Sequence, residues 1–372
     1  MLTTNQLQAE LAPLLERVPP GAVQEFEGNG AAWWTRVDRL LAADLVLVGE
    51  GGDGVFGHSR RDHRFLASVL EFRLPGLLAG TLPWFYRATL GRGRPEDLPK
   101  RLLQHWMLAV VETLPPGAAD PVNAVLRWAV YHHDDWVQLA QVEPVPDGPE
   151  DSRWKDFYHA FLPVLLRGSQ VECLRLAEGR VRTAEDLVAF CLQVVAPGLR
   201  EAGRLWETGR FTVAQEHRAS AAARRTWGAL GHLLVPCRRR KGRTTVTASA
   251  DEWHDLGSLI LADLLAWDGW EVDYLGANVP TRDLADLVRR NRPQVLVVSA
   301  TVPSSLKDVR DLVAGLRAEH GLRAPRVIVG GLAFGWDPGL WRRVGADGHA
   351  DNAQEALAVL DGWWQELAPQ GG

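Results

Sequence analysis

Residues 244–257 read Thr-Thr-Val-Thr-Ala-Ser-Ala-Asp-Glu-Trp-His-Asp-Leu-Gly, and the architecture of the C-terminal part of the chain follows from them. The first half is β-branched and small, as a buried strand requires. The second half is polar and ends on a glycine that opens an apolar helical run, Leu256–Trp267. The same unit then repeats. Strands are predicted at Thr244–Ala250, Glu271–Leu275, Val295–Ser299, Val327–Val329 and near Gly348. Helices are predicted at Leu256–Trp267, Thr281–Arg290, Leu306–Glu319 and Asn352–Glu366. Short strands alternating with helices mean a parallel sheet covered on both faces. Ligands of such sheets sit outside the carboxyl ends of the strands, which directs attention to the loops after Ala250, Leu275, Ser299 and Val329.

The first of these loops carries His254 two residues after Glu252 and three before Gly257, with Asp255 and Leu256 between. A metal-bound imidazole passes its other N–H to a carboxylate or carbonyl, and Glu252 is placed to accept it. Ser299-Ala300-Thr301, followed by Ser304 and Ser305, ends the third strand. Gly330-Gly331 ends the fourth. Small residues at adjacent strand ends leave room for a channel into the sheet.

Upstream, residues 152–236 read as a compact helical set. Trp206 falls near the end of one helix and Gly209 breaks it. Thr212 with Gln215 forms a capping box, and Glu216-His217 follow in the next helix. Arg238, Arg239, Arg240, Lys241 and Arg243 read as a solvated joint, and Gln141–Asp151 as a linker. Residues 1–140 read as all helical: Thr4–Val18, Ala31–Leu41, Arg61–Arg73, Leu77–Leu90, Pro99–Thr113 and Pro121–Leu139. Gly49-Glu50-Gly51-Gly52-Asp53-Gly54 follows a strand-like Asp44–Val48 but opens no helix, so it reads as a loop and not a dinucleotide site.

Bulk properties exclude several classes. A net charge of −5 argues against a dominant nucleic-acid surface. No run approaches the ~18 apolar residues of a membrane span. Three cysteines without metal-like spacing and no secretory signal suit a cytoplasmic protein. The 16 tryptophans are either core fillers or walls for flat ring systems.

Glu-x-His-x-x-Gly, Ser-x-Thr and Gly-Gly, in that order, resemble the cobalamin-binding domain of methionine synthases, corrinoid proteins and adenosylcobalamin mutases. The resemblance implies a flavodoxin-like (Rossmann-like) domain over residues 244–368. It makes His254 the lower cobalt ligand, with Glu252 and Ser304 or Ser305 as its relay. Gly257, Ser299 and Gly330 would line the channel for the nucleotide tail, with Asp255, Leu256, Thr301 and Gly331 beside them. Trp206 followed by Glu216-His217 resembles the signature of light-sensing cobalamin regulators, in which a four-helix bundle precedes the same sheet domain. There the Trp packs on the upper adenosyl group and the carboxylate holds the ribose. Glu207 departs from that pattern, where a cobalt-capturing histidine often follows the Trp; His217, His159, a histidine from the first segment or water would have to substitute. Those regulators begin with a DNA-binding domain, but residues 1–140 show no recognition-helix pattern, so direct DNA binding is not expected.

The full arrangement resembles photocobilins, which place a globin-like, biliverdin-binding domain first. That resemblance makes His132, His133, Asp135, Arg87 and His105 candidate bilin contacts. It implies a signalling photoreceptor and not an enzyme, acting through a light-dependent homo-oligomer or an unknown protein partner. The rivals are a corrinoid methyl carrier of a methyltransferase system and a cobalamin-dependent antirepressor.

Overall fold

A computed structural model of the chain describes residues 2–48, 59–142, 148–235 and 241–367. It forms two compact units, Met1–Leu233 and Leu234–Gly372.

The first unit is helical. It comprises α1 (Thr4–Glu16), α2 (Pro20–Gly28), α3 (Gly30–Val48), α4 (Ser59–Glu71), α5 (Pro75–Leu90), α6 (Leu98–Thr113), α7 (Pro116–Tyr131) and α8 (His133–Ala140). After the linker come α9 (Lys155–Leu166), α10 (Gln170–Arg180), α11 (Ala184–Phe190), α12 (Ala196–Glu207) and α13 (Val213–Leu230). A π-helical turn at Cys191–Val195 joins α11 to α12, so these two run on as a single rod. With α9, α10 and α13 that rod makes the four helices expected of residues 152–236.

Three local readings change. Pro19-Pro20 starts a helix, α2, that the sequence reading leaves as loop; Pro at the first helical position needs no N–H donor, and Ala22, Val23 and Phe26 bury one face. Asp44–Val48 continues α3 as helix, because a short apolar run has no period that separates strand from helix. The single helix predicted over Pro121–Leu139 begins earlier and breaks at His132, whose backbone leaves the helical region (φ −86°, ψ 21°). The glycine-rich stretch 49–58, residues 143–147 of the acidic linker and Arg238–Arg240 lie outside the described residues.

Several tryptophans are core. Trp33, Trp136, Trp154 and Trp227 are fully buried. The indole N–H of Trp33 donates to the Trp106 carbonyl at 3.3 Å, and that of Trp136 to the Ala129 carbonyl at 2.8 Å. Burying such large rings with their one polar handle satisfied accounts for much of the apolar stabilisation of these helices.

The second unit is a five-stranded parallel sheet, β1 (Arg243–Ala248), β2 (Glu271–Gly276), β3 (Val295–Ser299), β4 (Arg326–Gly330) and β5 (Gly348–Ala350), in the order β2-β1-β3-β4-β5. Helices α14 (Leu256–Trp267), α15 (Thr281–Asn291), α16 (Leu306–His320), α17 (Leu340–Arg343) and α18 (Ala353–Leu367) connect and follow the strands. The central β1 and β3 are buried over most of their length, which is why they read as apolar, β-branched runs. Trp270, Leu265, Val297, Ile328 and Leu360 join the core on one side of the sheet. The order changes direction at β1 and β3, so the crevice of a doubly wound sheet opens at their carboxyl ends.

The Thr212 capping box is present, with the Gln215 amide donating to the Thr212 hydroxyl at 3.3 Å and the Gln215 side chain accepting from the Thr212 amide at 2.8 Å. Thr212→Ala should lower the unfolding free energy of the helical unit by about 1 kcal/mol. A denaturant midpoint identical to that of the parent chain would show that the cap contributes nothing.

Candidate functional site

The loop between β1 and α14 is built around a buried carboxylate. Glu252 is fully buried. Its Oε1 accepts from the backbone amide of His254 at 2.8 Å and pairs with the imidazole Nδ1 at 2.7 Å. Its Oε2 accepts from the amides of Thr301 at 2.6 Å and Val302 at 3.0 Å, on the loop after β3. Burial works to raise the Glu252 carboxyl, but the hydrogen bonds and charge of His254 and the Thr301 amide outweigh it, and the group lies below the usual carboxylate range. Glu252 therefore stays anionic and accepts a hydrogen bond from Nδ1–H, so that Nε2 of the exposed His254 is the ring nitrogen that could hold a metal.

The expected relay through Ser304 or Ser305 is replaced by those two backbone amides. Ser305 instead turns its hydroxyl to the Ala250 carbonyl at 3.3 Å, tying the same two loops, and Ser304 is buried in the turn before α16. Two residues outside the sequence reading complete the loop. The Asn278 side chain accepts from the Asp251 amide at 2.9 Å, while the Asn278 backbone N–H donates to the Glu252 carbonyl at 2.9 Å. Tyr274 donates to Asp255 at 2.9 Å. Leu256 is the first residue of α14.

Beside this loop a cavity of about 170 Å³ runs into the sheet, lined by Gly257, Ser258, Ser299, Gly330 and Gly331 among others, with Val297, Ile328 and Ala356 at its apolar depth. A single water needs only ~10–15 Å³ of such space, so this is room for a ligand fragment. A side chain at Gly330 would come within 2.8 Å of the Ala350 carbonyl. Gly331 has φ +97°, and a Cβ there would collide with the Ala300 carbonyl. Among the described residues no group of three or more His, Cys, Asp or Glu side chains could hold a bare metal ion. One imidazole braced by a carboxylate, beside a long apolar slot, suits a metal that brings its other ligands in a macrocycle and a tail to bury.

Residues 242–358 match the B12 binding domain family, and residues 159–230 match a second B12 binding domain family. The chain carries a cobalamin-binding module. Over 141 residues it is 36% identical to the HTH-type transcriptional repressor CarH of Myxococcus xanthus, covering 38% of this chain and 46% of that protein; it thus spans less than half of that relative's length. It is 29% identical over 170 residues to dimethylamine corrinoid protein 3 of Methanosarcina acetivorans, covering 44% of this chain and 76% of the relative. The Methanosarcina barkeri monomethylamine corrinoid protein shares the fold, with a TM-score of 0.50 at 19% identity over 55% of this chain and 97% of the other. Among the described residues no helix is long and apolar enough to cross a membrane.

In the helical unit, Trp206 is half-buried in the last turn of α12, and Gly209 (φ +70°) ends the rod. Glu216 accepts from the Ser220 hydroxyl at 2.6 Å and lies 3.7 Å from the exposed His217.

The candidate bilin residues all have partners within the protein. Buried His132 lies 3.0 Å from both Glu10 and Asp135, and Asp135 also accepts from the Leu2 amide. His133 meets the Tyr86 hydroxyl at 3.0 Å. Arg87 bonds the Ala140 carbonyl at 3.1 Å and pairs with Glu207. His105 pairs with Asp44 on α3, away from the α5–α8 contact that gathers the others.

Burial, helped by Lys100, lowers His133 from its ordinary value of 6.5, and burial does the same to His105 against the pull of Asp44. Both favour the neutral ring in the folded state, so their contribution is present above about pH 6.5 and lost as pH falls below it. Thermal melts of the helical unit should therefore drop between pH 7 and 5, with a shallower slope in His133→Gln; equal slopes would exclude His133 as a source.

Glu252→Gln puts an amide N–H where only acceptors fit. It should weaken cobalamin binding by roughly 10–100-fold in a spectral titration, and an affinity equal to the parent's would show that the carboxylate does not tune the ligand.

Proposed function

We propose that this protein is a light sensor that binds adenosylcobalamin, with His254 as the lower cobalt ligand and Trp206 and Glu216 as contacts to the upper adenosyl group. The observation that carries the reading is the Glu252-braced His254 beside the slot lined by Gly257, Ser299 and Gly330. The spacing of Trp206 and Glu216-His217, on a segment that itself matches a B12 binding domain, supports the adenosyl form. Bound adenosylcobalamin supplies a cobalt–carbon bond that visible light breaks. The chain's own residues fix the lower imidazole, bury the tail and hold the upper group against an indole face. Residues 1–140 serve in this reading as a globin-like domain for biliverdin, held non-covalently or reached by a cysteine of the next module, since no cysteine lies in residues 1–150. The output is a change of homo-oligomeric state or of a partner complex in the cytoplasm.

The similarity to dimethylamine corrinoid proteins favours a second reading, a methyl carrier serving a separate methyltransferase. An antirepressor that binds cobalamin without photochemistry is a third.

Reconstitution with adenosylcobalamin in darkness, followed by green light, separates them. The sensor reading expects a spectral change on illumination and a shift in size-exclusion elution. A spectrum that stays as it was in the dark would falsify the adenosyl light-sensor assignment. His254→Ala should abolish the imidazole-ligated spectrum. Added biliverdin should acquire a red-shifted band; a spectrum identical to free pigment returns residues 1–140 to a ligand-free helical domain.

A further inference from the structure

The C-terminal end of α12 is gripped by residues from α5 and the turn after it. The guanidinium of Arg92 lies 4.8 Å from the Trp206 ring centre. Its Nη2 donates to the Trp206 carbonyl at 2.9 Å, and its Nη1 to the Glu207 carbonyl at 3.2 Å and the Ala88 carbonyl at 2.7 Å. Trp84 packs against the same indole, with ring centres 6.0 Å apart and planes tilted by 37°. Next in the chain, buried Glu207 pairs with Arg87. The backbones also touch. A Cβ on Gly91 would sit 2.5 Å from the Thr208 carbonyl, and one on Gly209 would collide with the Gly91 carbonyl.

These contacts act on one side chain. The last carbonyls of a helix have no partner inside it, and Arg92 takes two of them at the end of α12. The same planar fork lies over the indole face, an arrangement a flexible ammonium does not reproduce. One guanidinium thus fixes both the helix end and the plane of the ring. Glu207, the residue that departs from the Trp-His pattern of light-sensing cobalamin regulators, is tied into this junction by Arg87.

We propose that Arg92 is a positioning residue of the upper-face site, holding the Trp206 indole in the orientation that selects an adenosyl group over a smaller upper ligand. The proposal rests on the reading that Trp206 contacts that group. Trp84 and Arg92 both contact the indole, so its orientation is restricted before a ligand arrives, and a preset surface discriminates better than one that must be ordered on binding.

The test titrates the full chain in darkness with adenosylcobalamin and with methylcobalamin and takes the ratio of the two affinities. Arg92→Ala, Arg92→Lys, Trp206→Ala and the Arg92→Ala/Trp206→Ala double variant are compared at matched helicity and melting point. Should Arg92→Ala not fold, Arg92→Lys, which keeps the charge and loses the fork, carries the comparison. Arg92→Ala is expected to cut the adenosyl preference by roughly fivefold or more in the parent chain and to change nothing further when Trp206 is already Ala. Equal weakening toward both cobalamins, with the ratio intact, would mean that Arg92 only supports the fold, and overturns the proposal while leaving the upper-face reading in place. A Trp206→Ala chain with the parent's ratio overturns both.

Discussion

A single buried carboxylate organises the ligand-binding end of the sheet. Glu252 has no contact with solvent, and its two oxygens receive four N–H groups, two from His254 and two from the loop after β3. A buried charge is tolerable only when so satisfied, because each missing donor leaves desolvation uncompensated. The constraint works in both directions. The β3 loop must approach within hydrogen-bond distance of the β1 loop, and small residues are needed around it: Ala300 beside Gly331, Ser305 beneath Ala250. The cavity beside Gly257, Ser299 and Gly330 is what remains between those strand ends once the two loops are fastened together.

The parallel sheet was legible because its strands are short, β-branched and separated by helices with clear period; each of the five strands lies within two residues of its predicted place. The pairing of His254 with Glu252 was legible because the two residues lie two apart on one loop. The donors that hold the other oxygen of Glu252 were not. They are backbone amides, present at every position and announced by no side chain, whereas Ser304 and Ser305 advertised hydroxyls that in fact serve elsewhere. Asn278 escaped for a related reason: it reaches the site from the loop after β2, and nothing in the local sequence of that loop distinguishes a staple from an ordinary turn residue.

In the helical unit the difficulty was distance along the chain. Arg87 reads plausibly as a partner for a ligand carboxylate, yet its carboxylate is Glu207, 120 residues away. His132, similarly, is satisfied by Glu10 and Asp135, from opposite ends of the first helical segment. Tryptophan abundance gave no discrimination either, since the same ring that could face a flat chromophore also fills a core. Trp33, Trp136, Trp154 and Trp227 do the latter.

The glycine-to-glycine contact between Gly91 and Gly209 bears on how such a protein can have been assembled. Sensor and binding modules are often exchanged in evolution as cassettes joined by tolerant linkers. Here the seam carries two backbones in direct contact and a buried ion pair, and neither survives replacement of one side alone. An unrelated helical segment placed ahead of this bundle would leave Glu207 as an orphan charge and would meet Thr208 with whatever side chain it brought in place of Gly91. The two helical segments are therefore fitted to one another, and a substitution at the seam on one side calls for a matching change on the other.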